Sequence, residues 1–392
     1  MKNPNICIIS EKQQILGIGG TETVSYILKE ELRKNNYNVL SAFFVSQAPM
    51  TENDLLFPNG LDNICSDKNI DFLISTIIEK QIDIIILQGI FNDKLLTLCN
   101  NTPTKTKLIY TYHFSPFVKV KDYDDYKDRL LQQTHNPIIA LLKNLYVELK
   151  RKSYEKKSLK YTRELFLKYD IERIDAFISL TKEYTKYIQS IYPQQFKEKF
   201  HTIHNPILID NTTEKYEKEN IILFVGRLTY QKRLDRLLFV WKHLYNKFND
   251  WKVIVVGDGE YADEYQKMTE KLQLGNIEFV GQQPSDIYFK KSKIFCMTSS
   301  HEGLPMVLIE AQKYGCVPIA YNSFEASTDI IQNYHNGVLV APFNEKEYTK
   351  ALRTLITNDE MRKRLAANGK EFIKKFDSKM IVKEWIKLFN SL

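Results

Sequence analysis

The stretch HEGLPMVLIEAQKYGCVPIA, residues 301–320, sets two glutamates, Glu302 and Glu310, around a Gly303-Leu304-Pro305 step and an apolar run. A carboxylate inside an apolar helix is costly unless it meets hydrogen-bond donors or a positive charge. One reading is a polar ligand lying between the two acids; the other is a helix cap followed by a paired core acid. A second stretch, GRLTYQKRLD (226–235), carries Arg227 and Lys232 in a loop that follows Gly226 and opens a helix. Arginine grips phosphate oxygens bidentately and lysine adds a mobile point charge. Aimed at the sheet edge that carries the glutamates, the two cations would make a diphosphate site. The phosphate loop of NTPases, GxxxxGK[ST], occurs nowhere in the chain.

These residues need strands to aim them. KIFCMTS (293–299) runs into the HEGLP turn, where Pro305 suits the first position of a helix and Gly315 its C-terminal cap. Glu302 and the amides after it then lie at the C-terminal edge of a sheet, where open α/β sheets bind ligands and a helix N-terminus favours phosphate. The rest of the chain keeps the same rhythm of short apolar runs and longer helical patterns. NICIIS (5–10), NVLSAFFV (38–45), DIIIL (83–87), KLIYTYH (107–113) and DAFISL (175–180) form one set of strands. NIILFVG (220–226), WKVIVVG (251–257), NIEFVG (276–281), KIFCMTS, CVPIA (316–320) and GVLVA (337–341) form a second. The fold class is α/β, with two doubly wound parallel sheets. The join falls near Asn205-Pro206, before a polar stretch, which divides the chain into domains 1–205 and 206–375 and a C-terminal helix from 376 to 392.

The bulk properties agree with a large soluble core. The 392 residues are 43% hydrophobic and 26% charged, which suits two domains rather than one. Five scattered cysteines, mostly in apolar runs, read as reduced core residues and not as a disulfide or metal framework. The N-terminus starts directly on a strand pattern without a signal segment, and no apolar run approaches the roughly 20 residues of a membrane span. A cytoplasmic protein is expected. The formal net charge of +7 suggests phosphates or anionic lipid as partners. Residues 121–170 depart from the rhythm: the stretch is helical and charged, and Lys150, Arg151, Lys152, Lys156, Lys157 and Lys160 form a basic cluster. It reads either as a solvated helix face or, over residues 143–163, as a contact with an anionic membrane surface. Asp122-Tyr123-Asp124 has the form of a metal-binding D-x-D but sits in this charged helical stretch, so it reads as solvated surface.

The motifs VGRLTYQK, VVGDGE, FVG, SSHEGLPMVLIEA and NGVLV, in this order and spacing, resemble the donor domain of the retaining GT-B glycosyltransferases of family 4. Glu302 and Glu310 match that family's E-x7-E. The resemblance implies two Rossmann-like domains facing a cleft, with the C-terminal helix returning to the first. It implies that Glu302 faces the donor sugar, Glu310 the ribose hydroxyls, and Arg227 with Lys232 the diphosphate, with Gly226, Gly303, Leu304 and Pro305 lining the donor. LGIGGTETVSYILKEEL (16–32) resembles the family's glycine-rich loop and first helix, in which Gly19 and Gly20 let the backbone approach donor phosphates or acceptor. His113, at the end of KLIYTY, corresponds to the family histidine near the reacting sugar.

The implied reaction moves a hexosyl group from a nucleoside-diphosphate sugar to a hydroxyl of a glycan or lipid-linked acceptor with retention, in cell-envelope polysaccharide synthesis. No cofactor, no metal and no nucleic-acid partner is expected, and the enzyme would work in the cytoplasm, peripheral on the inner face of the membrane. Two departures stand out. Arg233 replaces the glycine that commonly follows the phosphate lysine, and SFEASTD (323–329) stands where many relatives have a glycine pair. A nicotinamide oxidoreductase is disfavoured because Gly19 and Gly20 do not follow their strand immediately. A same-fold nucleotide-sugar epimerase and an inactive binding subunit remain as alternatives.

Overall fold

The computed structural model describes residues 3–392 except 18, 90–92, 100–101, 104, 118–126, 128–135 and 210–215. The Asp122-Tyr123-Asp124 match and most of 118–135 therefore lie outside the described residues. Strands β1 (Ile6–Lys12), β2 (Val39–Val45), β3 (Asp54–Leu56), β4 (Ile84–Gly89), β5 (Lys107–Tyr112), β6 (Ala176–Ser179) and β7 (Phe200–Thr202) make one sheet in the order β3-β2-β1-β4-β5-β6-β7. Every pairing is parallel. The helices between these strands in the chain are α1 (Gly20–Lys34), α2 (Asp67–Glu79), α3 (Asp93–Cys99), α4 (Pro137–Phe166) and α5 (Lys182–Ile191). All eleven strands expected from the sequence are present. The short strands β3 and β7 were not expected, because three residues are too few to show a pattern.

A second parallel sheet contains β8 (Glu219–Val225), β9 (Lys252–Val256), β10 (Ile277–Phe279), β11 (Ser292–Met297), β12 (Val317–Tyr321) and β13 (Val338–Val340), in the order β10-β9-β8-β11-β12-β13. Its helices are α6 (Leu234–Lys242), α7 (Ala262–Lys271), α8 (Ser285–Lys291), α9 (Met306–Lys313), α10 (Ser327–Ile330), α11 (Glu345–Thr357) and α12 (Asp359–Phe372); α13 (Ser378–Phe389) closes the chain. The chain divides into two compact units. One holds Met1–Pro116, Lys160–Leu208 and Phe376–Leu392; the other holds Phe117–Leu159 and Ile209–Lys375. The sequence reading put all of 1–205 in one domain, whereas the structure groups 117–159 with the second unit. The division falls within α4, between Leu159 and Lys160.

Strand alternation sets the core of the first unit. Cys7 and Ile9 of β1 face one layer with Leu73, Ile77 and Leu95, while Ile6 and Ile8 face another with Leu28 and Leu32 of α1. Helix α13 completes this second layer through Ile381, Val382, Trp385, Leu388 and Phe389. Asp377 caps it by accepting from the Lys379 N–H, and Ile207 clamps its start by donating to the Phe376 carbonyl at 2.8 Å and accepting from Ser378 N–H at 2.9 Å. Helices α1 and α13 thus cover the Ile6/Ile8 face together. In the second unit, Ile222, Phe224, Val253 and Val255 pack with Leu237 and Trp241 of α6. In each sheet the order reverses around the first strand of the unit, between β1 and β4 and between β8 and β11. Ligands of open α/β sheets bind at such points.

Trp385 is 3% exposed, so Trp385→Ala should destabilise the first unit by about 3–5 kcal/mol. Urea titrations of wild type and variant measure this, and a loss under about 1 kcal/mol would show that α13 only decorates the unit.

Candidate functional site

The loop after β8 is held from below by the loop after β9. Gly226 donates to the Val256 carbonyl at 3.0 Å, Leu228 to Asp258 at 2.8 Å, and Tyr261 returns a bond to Leu228 at 3.0 Å. The approach is so close that a Cβ on Gly257 would lie 2.0 Å from the Gly226 carbonyl oxygen, and Gly257 has φ +133°. Only glycine fits there. The loop thus leaves β8 in one conformation, with the Arg227 guanidinium exposed and without a hydrogen-bond or ion-pair partner among the described residues.

The loop after β11 stitches to the same segment. Ser300 donates its N–H and its hydroxyl to the Gln231 carbonyl at 2.9 and 3.1 Å, and the Gln231 amide donates to the His301 carbonyl at 2.7 Å. The Thr298 hydroxyl reaches the carbonyls of Lys232 and Arg233 at 3.1 and 2.8 Å. These bonds bring Lys232 Nζ to 2.6 Å from Glu302 Oε1. Glu302 is 8% exposed, which makes this a largely desolvated ion pair. The sequence reading assigned Lys232 and Glu302 to different parts of a ligand and did not pair them. Their separation of 70 residues leaves no local signal; only the β8–β11 neighbourhood creates the contact.

Helix α9 starts at Met306, with Pro305 at the N-cap and no capping side chain, one residue earlier than the sequence reading placed the proline. The first-turn N–H groups thus open on the same edge as Glu302. Glu310 lies on the helix, half-buried, and no hydrogen bond or ion pair reaches its carboxylate among the described residues. Burial pushes its pKa up to about 7, with Lys313 opposing the shift and Asp286 adding to it. An acid so placed gains from ligand hydroxyls that donate to it. Gly315, φ +68°, ends the helix.

In the first unit, Gly19 caps α1 and Gly20 opens it after β1. A Cβ on Gly20 would touch nothing within 4 Å, and one on Gly19 would meet only the Glu22 side chain. The glycine this loop requires is Gly17, at φ +82°. Two buried glutamines also hold the loop. Gln14 donates to the Ile8 carbonyl and accepts from Ser41, while Gln13 accepts from the N–H groups of Gln47 and Ala48. Glutamines following a strand carry no motif, so the sequence did not single them out. His113 follows β5 and is buried, its Nε2 donating to Gln88 Oε1 at 2.5 Å. Its Nδ1 is buried without a partner among the described residues, and burial lowers the imidazole pKa to about 4, so the ring stays neutral.

Comparison with known proteins gives this geometry a lineage. The family model described as "Glycosyl transferases group 1" matches residues 208–372. An uncharacterized glycosyltransferase of Methanocaldococcus jannaschii is 30% identical over 299 residues, which cover 65% of this chain and 70% of that protein. The chain belongs to the glycosyl transferases group 1 family. The amylovoran biosynthesis glycosyltransferase of Erwinia amylovora is 32% identical over 193 residues, 47% of this chain and 54% of that protein. An alpha-1,4-N-acetyl-D-galactosaminyltransferase of Campylobacter jejuni is 30% identical over 203 residues, 50% of this chain and 56% of that protein. The chain thus spans about half the length of these two curated relatives. The solved structure of Anabaena HepE with UDP and glucose superposes with TM-score 0.72 at 15% identity, covering 100% of both chains. That of WaaG, a glycosyltransferase involved in lipopolysaccharide biosynthesis, gives 0.65 at 15% identity, covering 98% of this chain and 99% of that one. The fold is GT-B.

Membership makes the departure at Arg233 informative. Arg233 has φ 49° and ψ 49°, the left-handed conformation that glycine adopts freely and that costs an ordinary residue about 1–2 kcal/mol. Its guanidinium is fully buried, bidentate to Asp235 at 3.0 and 2.9 Å and 4.9 Å from the Tyr230 ring centre. The arginine thus spends its charge on Asp235 two residues away while keeping the turn a glycine would make. In the other departure, Ser323 donates to the Ser299 carbonyl at 2.8 Å, tying the SFEASTD loop to the loop after β11.

Because the folded-state pKa of Glu310 lies above its ordinary 4.5, its contribution to stability is complete below that value and is lost as pH rises toward about 7. The loss is at most about 3 kcal/mol, lessened by water reaching its accessible side. Glu310→Gln should flatten this fall. Denaturant titrations at several pH values from about 4.5 to 8 test it, and equal slopes in both proteins would refute the assignment.

Proposed function

We propose that this chain transfers a hexosyl group from a nucleoside-diphosphate sugar to a hydroxyl of a glycan or lipid-linked acceptor, with retention, in cell-envelope polysaccharide synthesis. The observation that carries this reading is the convergence, at the β8–β11 switch point, of Arg227, which has no partner among the described residues, the Lys232–Glu302 pair and the uncapped start of α9. An anion belongs there. Arg227 offers a planar fork, and Lys232 keeps two N–H groups after pairing with Glu302. Gly303, Leu304 and Pro305 carry the chain past this anion into the helix. A diphosphate held there becomes a better leaving group, because its developing charge meets donors already in place.

In this reading Glu302 has two contacts. It orients the Lys232 ammonium toward the phosphate and accepts from a hydroxyl of the donor sugar. Glu310 accepts from the ribose hydroxyls, whose donation favours its ionised form. The hydroxyl of the acceptor attacks from the face the diphosphate leaves, and the phosphate takes the proton, so no protein nucleophile enters. In the first unit, the resemblance offers His113, neutral and held by Gln88, with Gly19 and Gly20, as ligand-facing residues. Support for an envelope acceptor comes from relatives, among them a poly(ribitol-phosphate) alpha-N-acetylglucosaminyltransferase of Staphylococcus aureus, 27% identical over 239 residues. No helix among the described residues is long and apolar enough to cross a membrane. The protein acts on the cytoplasmic side and meets the anionic membrane surface through residues 143–163.

Two substitutions separate the roles. Glu310→Ala should weaken nucleoside diphosphate binding by about 1–3 kcal/mol. Glu302→Ala should leave that binding nearly unchanged while lowering kcat with the intact donor. Calorimetry with the bare nucleotide and steady-state kinetics with nucleotide-sugars measure both. Equal weakening of nucleotide binding by the two variants would end the assignment of one acid to sugar and one to ribose. Turnover should also persist in excess EDTA, because Arg227 and Lys232 supply the charge at the diphosphate. Loss on chelation and recovery with manganese would contradict this.

A further inference from the structure

We infer that the first three turns of α4 are an apolar wedge that inserts into an anionic lipid surface, with the turns that follow lying on its headgroups. The inference rests on the membrane contact proposed above and names the segment that makes it. Ile138, Leu142, Leu145 and Leu149 are 54–83% exposed, and Ile139, Leu141 and Tyr146 beside them are 46–60% exposed. An exposed apolar cluster of this kind marks a binding surface. At 3.6 residues per turn, these four residues and Lys152, Lys156, Lys160 and Arg163 all fall within about 40° of one line along the helix. One face is therefore apolar for three turns and basic for the next three. The opposite face carries Val147, which is 1% exposed, and the buried Ser158.

The charges favour lipid over another occupant. Between Lys150 and Arg163 the helix has seven basic residues and one acid, Glu155, which is engaged by Arg151 at 2.9 Å. Lys152, Lys156 and Lys157 are exposed and unpaired among the described residues. A second copy packed on this face would bring a like-charged run alongside, whereas phosphate headgroups neutralise it. Twelve residues rise about 18 Å, short of the roughly 30 Å of a bilayer core, so the segment enters the interface without spanning it. The apolar end dips below the headgroups and the lysines stay level with them.

The test uses the full chain and vesicles of phosphatidylglycerol mixed with phosphatidylcholine, against pure phosphatidylcholine. Wild type should bind the anionic vesicles. L142S/L145S/L149S should reduce binding at least tenfold even at low salt. K152Q/K156Q/K160Q should reduce it on the order of a hundredfold at low salt, about fivefold per charge, and remove most of the salt dependence. Both sets are exposed, so the melting temperature should not move. Leu145→Trp should be quenched by brominated acyl chains. Unchanged binding in the leucine variant, or no quenching, would overturn the wedge. So would a wild-type dimer that the leucine substitutions split, since the face would then belong to a second copy. None of these readouts uses turnover, so failure of the wedge and failure of the transferase reading are told apart by a separate donor hydrolysis assay.

Discussion

The parallel pairing of β8 with β11 is the contact on which the rest of the site depends. Ile222 lies beside Ile294 and Leu223 beside Phe295, and this register makes the two strands end side by side. Each strand exits into a loop with chemistry in it, 226–233 after β8 and 298–305 after β11. Had the chain placed another strand between them, Ser300 and Thr298 could not reach the carbonyls of Gln231, Lys232 and Arg233. Lys232 would then point into solvent and Glu302 would be a buried acid without a counterion.

The electrostatics of the edge follow from that packing. Glu302 is desolvated, and a desolvated carboxylate is tolerable only with a partner at short range, which Lys232 supplies. Arg233 is more deeply buried and is balanced by Asp235. Arg227 alone of the three cations is left outward. The site therefore presents one open positive charge, one that is shared, and one that is internal. Glu310 is the complementary case: it is buried enough for its pKa to rise to about 7 yet has no hydrogen-bond or ion-pair partner among the described residues, so it is ready for hydroxyl donors.

The first unit is built on different constraints. Its sheet is buried on both faces, and α13, the last helix of the chain, supplies part of one covering layer through Trp385 and Phe389. At its C-terminal edge the polar groups are held internally: Gln14 by Ser41 and the Ile8 carbonyl, His113 by Gln88. Helix α4, whose residues up to Leu159 group with the second unit, exposes Leu142, Leu145 and Leu149.

Periodicity and turn chemistry are local, and so the sequence by itself determined most of the strands, the α/β class, the HEGLP turn and the positions of Arg227, Lys232, Glu302 and Glu310. Contacts across many residues have no local signature, and only the tertiary structure decided them. The Lys232–Glu302 pair, the burial of Arg233 against Asp235, the sealing of His113 by Gln88 and the anchoring by Gln13 and Gln14 all depend on which strands become neighbours. The three-residue strands β3 and β7 were invisible for a related reason, since so short a run acquires extended structure only from the strand beside it. The helical character of residues 121–170 was legible, but whether the leucines of α4 face the core or solvent depends on what packs against them, and that is a property of the folded chain.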